Sequence, residues 1–269
     1  MNAGDSEAPS PPVPEPHVLI VGSALRSGVP DLIESNLRRM GLQPQPIGKR
    51  DDEERPVAFR IVLGPTIATI DGPGSAALAA ADPADRGTSS LATSLPPGWA
   101  SAGACWRVAP EAGDAASVLT PAATREFFKL VVLLIDLFDA SHLFWSPARL
   151  WSDAPQFRAA VAEMLASGMP PVLHLIAFRR RESADGEEVA TRGLATFAGQ
   201  ELEAAVPPGW TMADMVKRLA RLALDLMLNG PVREAQTVGG LLAGERVRMT
   251  PRGNGEPLPM VRVGFDQGD

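Results

Sequence analysis

The chain has little of several residue types that build common functional sites. Its 269 residues include one cysteine, Cys105, three histidines and no tyrosine. A single cysteine excludes an internal disulfide bond and a four-cysteine zinc site. The sequence also has no other recognisable metal-ligand spacing, and neither a bound metal nor a cofactor is predicted.

A long apolar segment is missing too. The longest apolar run, residues 130–138, is interrupted by Asp136 and is too short to span a bilayer. The first 16 residues, MNAGDSEAPSPPVPEP, have neither the basic start nor the apolar stretch of a secretory signal. These absences predict a cytoplasmic protein with no membrane partner.

Basic residues are fewer than acidic residues. There are 25 Lys and Arg against 32 Asp and Glu, a formal net charge of −7. This balance argues against nucleic-acid binding, which needs a basic surface to neutralise phosphates, and favours a basic protein partner. Lysine occurs only at positions 49, 129 and 217, so nearly all basic side chains are arginines. Because these arginines are spread along the chain, their excess is typical of a GC-rich bacterial genome. The oligomeric state is not predicted.

The chain divides into a short tail and a long globular part. Residues 1–16 are rich in proline, serine and acids, which predicts a disordered tail. Residues 17–269 are predicted to form a single α+β domain. A division into two lobes, about 17–110 and 111–269, stays open as an alternative.

The apolar periodicity predicts strands joined by tight turns, alternating with single long helices. This order indicates mixed or antiparallel sheets covered by helices, with two ferredoxin-like β-α-β-β halves as one possible arrangement. The predicted helices include residues 30–40, 75–81 and 121–140. A fourth helix is capped by Ser152 or Asp153 and stopped by Gly168, and a long fifth helix begins after Thr211, with Asp214 completing a partial capping box, and ends at residues 229–231. The predicted strands span residues 17–22, 57–63, 65–70, 105–109, 143–145, 171–178, 189–197, 246–249 and 260–264.

The usual catalytic motifs are absent or incomplete. No G-x-S-x-G elbow occurs, and the glycines of Gly22–Gly28 have the wrong spacing for a phosphate loop, so a connecting loop is favoured over an anion site. Cys105 is interpreted as a buried structural cysteine. His142 fits a helix end better than a metal site shared with Asp139. His174 is interpreted as a core histidine.

The stretch FWSPARLW, residues 144–151, has the most unusual composition. Trp145, Ser146, Arg149 and Trp151 are candidates for a binding surface or pocket, although large aromatic side chains more often cover a core. Further along, residues 179–181 are three consecutive arginines. They are candidates for gripping an acidic partner, but a solvated hairpin tip is favoured.

A third stretch carries a resemblance to a known family. Residues 191–203, TRGLATFAGQELE, resemble the T-G-L-x-x-F-G-x-x-E-L-E signature of a bacterial family catalogued as domain of unknown function 4261. Phe144-Trp145 and the segment QTVG at 236–239 are similar to two further motifs of that family. The resemblance covers about residues 103–265, and it departs from the pattern at Ala198 and Gln236. The family has no established activity, so it implies no catalytic residue.

The resemblance does imply a structural role for residues 191–203, as a turn and cap between a strand and a helix. Gly193 is then expected where a Cβ atom is costly, through a positive φ or a close approach. Thr191, Glu201 and Glu203 are either capping groups or surface contacts, with caps favoured. Together with Gly193 they join the candidate binding surface.

Two functions are carried forward. The first is a non-enzymatic protein-interaction module of the adaptor or toxin-antagonist type. It follows from the absent catalytic motifs and the acidic balance. The alternative is a hydrolase of unknown substrate with a pocket near Trp145–Trp151. This alternative requires His142 or His174 to meet Ser146 or an acid in a pocket.

Overall fold

The computed structural model describes residues 16–22, 30–47, 58–101, 103–111, 120–183, 186–252 and 259–266. Its helices within these ranges are α1 (Pro30–Arg39), α2 (Ser75–Ala80), α3 (Pro121–Leu137), α4 (Ala154–Ser167), α5 (Val172–Leu175), α6 (Ala195–Ala198) and α7 (Met212–Asn229). The predicted tail and the Gly22–Gly28 loop lie almost entirely outside the described residues. None of the helices in the described ranges is long and apolar enough to cross a membrane.

The strands of the described ranges form two mixed sheets. They are β1 (Val18–Gly22), β2 (Gln45–Pro46), β3 (Ala58–Leu63), β4 (Thr66–Asp71), β5 (Ser89–Ser90), β6 (Cys105–Pro110), β7 (Ala140–Trp145), β8 (Leu150–Asp153), β9 (Ala177–Ser183), β10 (Gly186–Arg192), β11 (Glu201–Ala205), β12 (Gln236–Gly239), β13 (Arg246–Pro251) and β14 (Met260–Asp266). The first sheet has the order β2-β3-β4-β6-β1-β7-β8-β5, and the second has the order β12-β13-β14-β11-β10-β9. The α+β class is confirmed. Two ferredoxin-like halves are not, since one sheet has eight strands and the other six.

The first sheet is covered on both faces, which explains the unbroken apolar sequence of β1. Val18 and Ile20 belong to the main core, while Leu19 and Val21 face a second cluster that also contains Trp151. All five residues of β1 are buried as a result. A strand that is covered on both sides lacks the polar alternation of a half-exposed strand.

The main core extends over both sheets. It includes Val18 and Leu143 of the first sheet together with Val189 and Val261 of the second. The first sheet continues as far as Asp153, well past position 110 where the alternative two-lobe division was placed.

Local signals predicted several elements well. The hairpin of β3 and β4 forms around Gly64, which has φ +57°. Helix α7 begins with a capping box, in which the Thr211 and Asp214 side chains each accept a backbone N–H of the other residue.

Helix α3 is shorter than predicted. It ends at Leu137, and Asp139 adopts φ +49°, outside the helical region. Ala140, predicted as helical, instead begins β7 and pairs with Gly22. Phe138 and Ala140 extend the apolar spacing past Leu137, whereas the polar residues Asp139 and Ser141 mark the change of conformation in the sequence.

Two predicted strands are wrong in extent. Residues 171–178 contain the short helix α5, and only Ala177 and Phe178 belong to β9. A short apolar run fits a buried strand or a buried helical turn equally well. Residues 189–197 do not form one strand either, because β10 ends at Arg192, where Gly193 adopts φ +100°. The chain then forms the short helix α6 and returns as β11 at Glu201, so residues 193–200 link two strands.

Comparison of Gly193 with Gly199 separates two costs of adding a Cβ atom in this link: backbone strain and steric overlap. Both glycines have positive φ, +100° and +68°. A Cβ at Gly193 would lie 2.9 Å from Leu175 O and 3.0 Å from Ala148 Cα, whereas none of the described atoms lies within 4 Å of a Cβ at Gly199. The expected close approach and positive φ are both confirmed at Gly193.

We expect Gly199→Ala to lower the free energy of unfolding by about 1 kcal/mol, the cost of the left-handed conformation alone. Gly193→Ala should cost at least about 3 kcal/mol, because backbone strain and steric overlap add. Denaturant unfolding of both variants measures the difference. Equal costs would contradict the close packing of Gly193 against Ala148.

Candidate functional site

The structure brings together residues 144–151 and 191–203, the two stretches that contain the candidate residues. Gly193 packs against Ala148, and the Trp145 and Phe197 rings stack with their centroids 6.2 Å apart. The β7–β8 connection therefore contacts the β10–β11 connection directly. The candidate residues nonetheless differ in what they can contact.

The two tryptophans are not a binding surface. Trp145 and Trp151 are both 0% exposed, which corrects their assignment as contact residues. Trp145 packs on Phe128 and Phe197 in the main core. Trp151 lies on the opposite face of the sheet and donates its Nε1–H to Ala81 O at 2.8 Å. Burial of large aromatic area is what holds them there.

Ser146 also has a structural partner. Its Oγ accepts the backbone N–H of His17 at 2.8 Å, and its own N–H donates to His17 O at 3.0 Å. These bonds fix the start of β1 beside the end of β7. Among the described residues, no hydrogen bond joins Ser146 to His142 or His174, the two histidines that the hydrolase hypothesis named.

Glu201 is a buried cap for the turn after β10. Its carboxylate accepts the N–H groups of Gly193 at 2.7 Å, Leu194 at 3.2 Å and Ala195 at 3.1 Å, and the Thr191 hydroxyl at 2.7 Å. Burial raises the pKa of this carboxyl, although the four hydrogen bonds act in the opposite direction. Thr191 and Glu201 are therefore caps, one of the two roles that the sequence left open.

Glu203 has a different neighbour. Its Oε1 lies 2.8 Å from Nη1 of Arg252, which follows β13, and its side chain is only 10% exposed. The ion pair joins β11 to the end of β13, so Glu203 supports the second sheet.

Arg149 is the candidate residue whose charged group lies near two other arginines. Arg149 Nη2 donates to Asp85 at 2.6 Å and to Thr88 Oγ1 at 3.1 Å. Arg179 of β9 donates to Arg86 O at 2.9 Å, and Arg192 at the end of β10 donates to Gly87 O at 3.3 Å. We call Arg149, Arg179 and Arg192 the arginine cluster. Its guanidinium groups converge on residues 85–88.

Sheet register explains why two of these side chains point the same way. Arg179 is paired with Ala190, so Arg192, two residues further along β10, lies on the same face. Arg180 lies on the opposite face and pairs with Glu187. Arg181 is exposed. The three consecutive arginines thus have different roles, and only Arg179 belongs to the cluster.

Positive charge in the cluster exceeds the negative charge that faces it. Asp85 pairs with Arg149, whose hydrogen bond is the main cause of the lowered pKa of Asp85. Among the residues that the structure describes, neither Arg179 nor Arg192 forms an ion pair with a carboxylate. The pKa of Arg192 falls to about 10, first through burial and then through repulsion by Arg149 and Arg179. The arrangement is ready to accept an anion.

The histidines occupy separate sites. His142 Nδ1 lies 2.9 Å from Ser141 Oγ, and its Nε2 lies 3.6 Å from Asp153 Oδ1. His174 Nδ1 lies 3.2 Å from Ser152 Oγ, and burial lowers its pKa. His142 thus meets an acid, as the hydrolase hypothesis requires, but it lies within β7 and not at the helix end that was expected. His174 packs edge-on against Phe157 and is half-buried, so it is not the fully buried core histidine that was expected.

Comparison of the chain with protein-family models, with curated proteins and with solved structures finds no match.

Cys105 provides a test of whether the single thiol takes part in chemistry. It is 2% exposed, and burial raises the pKa of its thiol from 9.0 to about 12. Because the thiolate is the reacting species, iodoacetamide should alkylate the folded protein roughly a thousandfold more slowly than the denatured chain. Mass spectrometry of timed samples measures both rates. Rapid alkylation of the folded protein would place the thiol in an accessible site.

Proposed function

We propose that this protein is a non-enzymatic interaction module that recognises an anionic group through the arginine cluster. The observation that carries this proposal is the convergence of three guanidinium groups on residues 85–88, where Asp85 is the carboxylate that pairs with the cluster among the described residues. The resemblance of residues 103–265 to domain of unknown function 4261 is part of the proposal and adds no activity.

The local positive charge of the arginine cluster is stronger evidence about the ligand than the net negative charge of the chain. It favours an anionic ligand. The net charge of −7 favours basic partners only through long-range attraction, which salt screens. The arginine cluster acts at hydrogen-bond range, where a planar guanidinium binds phosphate or carboxylate oxygens in pairs. An adaptor that docks a phosphorylated or acidic segment fits this geometry.

The free protein bears a cost at the cluster that a ligand would offset. Arg192 is half-buried and close to two like charges, which disfavours its charged form. Arg179 and Arg192 each donate one hydrogen bond to a backbone carbonyl. A bound dianion would supply oxygen acceptors for their other N–H groups. Binding energy would therefore come from relief of repulsion as well as from new hydrogen bonds.

We expect pyrophosphate to raise the melting temperature at constant ionic strength, because a ligand that binds only the folded state stabilises it by mass action. Arg192→Gln and Arg179→Gln should lose most of this stabilisation. Arg180→Gln is the matched control: it removes the same charge from the opposite face of β9 and should keep the full effect. Differential scanning fluorimetry measures all four proteins. An equal rise in all of them would show that the cluster is not the binding site.

A second candidate function, hydrolysis, is favoured by the group around His142. Ser141 is exposed, its Oγ is 2.9 Å from His142 Nδ1, and Asp153 lies beyond the other ring nitrogen. Thr93 donates to Asp153 at 3.1 Å and also lines a hollow of about 500 Å³ next to Trp151. In this arrangement His142 would take the Ser141 proton as the hydroxyl oxygen attacks an ester carbonyl.

Nitrophenyl acetate separates this candidate from the binding module. A hydrolase should release a burst of nitrophenolate equal to the enzyme present, and Ser141→Ala or His142→Ala should abolish it. Ser167→Ala, at the end of α4, is the matched serine control. If wild type and Ser141→Ala release nitrophenolate at the same slow rate, hydrolysis at this site is excluded.

A further inference from the structure

A separate cavity lies at the start of α3, where that helix meets the ends of α4 and α7. Its volume is about 280 Å³, and most of its lining is apolar, including Met164, Phe197 and Met227. At the packing density of protein interiors, this space takes on the order of ten non-hydrogen atoms. The arginine cluster contributes no residue to the lining.

A buried polar group without a partner lies in the wall of the cavity. Thr124 lines it and is 4% exposed, yet its Oγ1 has no hydrogen-bond partner among the described residues. Thr124 lies in the first turn of α3, where its backbone N–H already donates to Thr120 O at 2.9 Å. A buried hydroxyl without a partner costs free energy, which a ligand oxygen would recover once the Thr124 side chain turns its hydroxyl into the cavity.

One positive charge stands at the same place. Arg125 follows Thr124, lines the cavity and is exposed. Its Nη2 donates to Leu165 O at 2.9 Å, which holds the side chain across to the end of α4. Its remaining N–H groups have no carboxylate partner in the described part of the chain. The polar features of the lining therefore combine a hydroxyl and a cation.

Apolar side chains continue outward from the lining. Leu228 lines the cavity and is 47% exposed, and Met169, between the lining residues Gly168 and Pro170, is 44% exposed. Large exposed apolar side chains around a concave site are typical of a ligand entrance.

We propose that this cavity binds a small amphiphilic carboxylic acid. Its apolar body would fill the space between Met164, Phe197 and Met227, and its carboxylate would accept the Thr124 hydroxyl and the Arg125 guanidinium. A neutral apolar molecule would leave the cation unused, and a dianion such as pyrophosphate would leave the apolar walls uncovered. The chemistry of the lining thus selects a monoanion with a hydrocarbon body.

Octanoate is a suitable probe, and 1-octanol is its uncharged counterpart. Isothermal titration calorimetry should show that wild type binds octanoate more tightly than octanol. Thr124→Val should weaken octanoate binding by about three- to tenfold, the loss of one hydrogen bond, while Thr124→Ser should restore it. Arg125→Gln should weaken octanoate binding and leave octanol binding unchanged. Arg158→Gln, which removes an exposed arginine on α4 paired with Asp136, is the charge control.

The ligand-free variants give an independent readout. Thr124→Val should melt at a higher temperature than wild type, because it removes the buried hydroxyl that has no partner. Failure of octanoate to bind, or equal binding by wild type, Thr124→Val and Arg125→Gln, would overturn the proposal. These results are separate from those of the pyrophosphate experiment, since the two sites share no residue.

Discussion

The Glu201 carboxylate is the group on which the arrangement of the candidate residues depends. It collects three consecutive backbone N–H groups and the Thr191 hydroxyl, and thereby fixes the turn between β10 and α6. That turn presses Gly193 against Ala148 and sets Arg192 beside the β7–β8 connection. A buried carboxylate is expensive unless every oxygen has donors, and here the backbone supplies them. The same hydrogen bonds therefore stabilise the turn and position a charged side chain.

The arginine cluster shows how an acidic protein can hold a local positive site. The chain carries a net charge of −7, but sheet register and the β7–β8 connection place three guanidinium groups around four residues. The backbone carbonyls of Arg86 and Gly87 hold two of them without cancelling their charge. A carbonyl orients a guanidinium but neutralises nothing, so the site stays attractive to an anion.

The two proposed sites would gain binding energy from different interactions. At the arginine cluster, like charges oppose one another and a ligand would relieve the repulsion. At the α3 cavity, an unpartnered hydroxyl and uncovered apolar walls would be satisfied by a ligand that brings one oxygen group and a hydrocarbon body. In both places the free protein carries a local cost, and such local costs persist in folded proteins where the surrounding core is large enough to offset them.

The sequence by itself determined what rests on local interactions. The α7 capping box and the β3–β4 hairpin follow from neighbouring residues, and both were predictable. The short helix α5 was not, since an apolar run of that length satisfies a helix or a strand equally and its environment decides. The role of the tryptophans was open for a similar reason: composition shows that Trp145 and Trp151 are large and apolar, but only packing shows that both are buried.

Only the tertiary structure decided which charges meet. Arg149, Arg179 and Arg192 come from a hairpin connection and two strands, and residues 85–88 come from an earlier part of the chain. Nothing in the spacing of residues so far apart in sequence encodes their distance in space. That distance follows from sheet register and from the close approach of Gly193 to Ala148, which depend on the packing of the whole core.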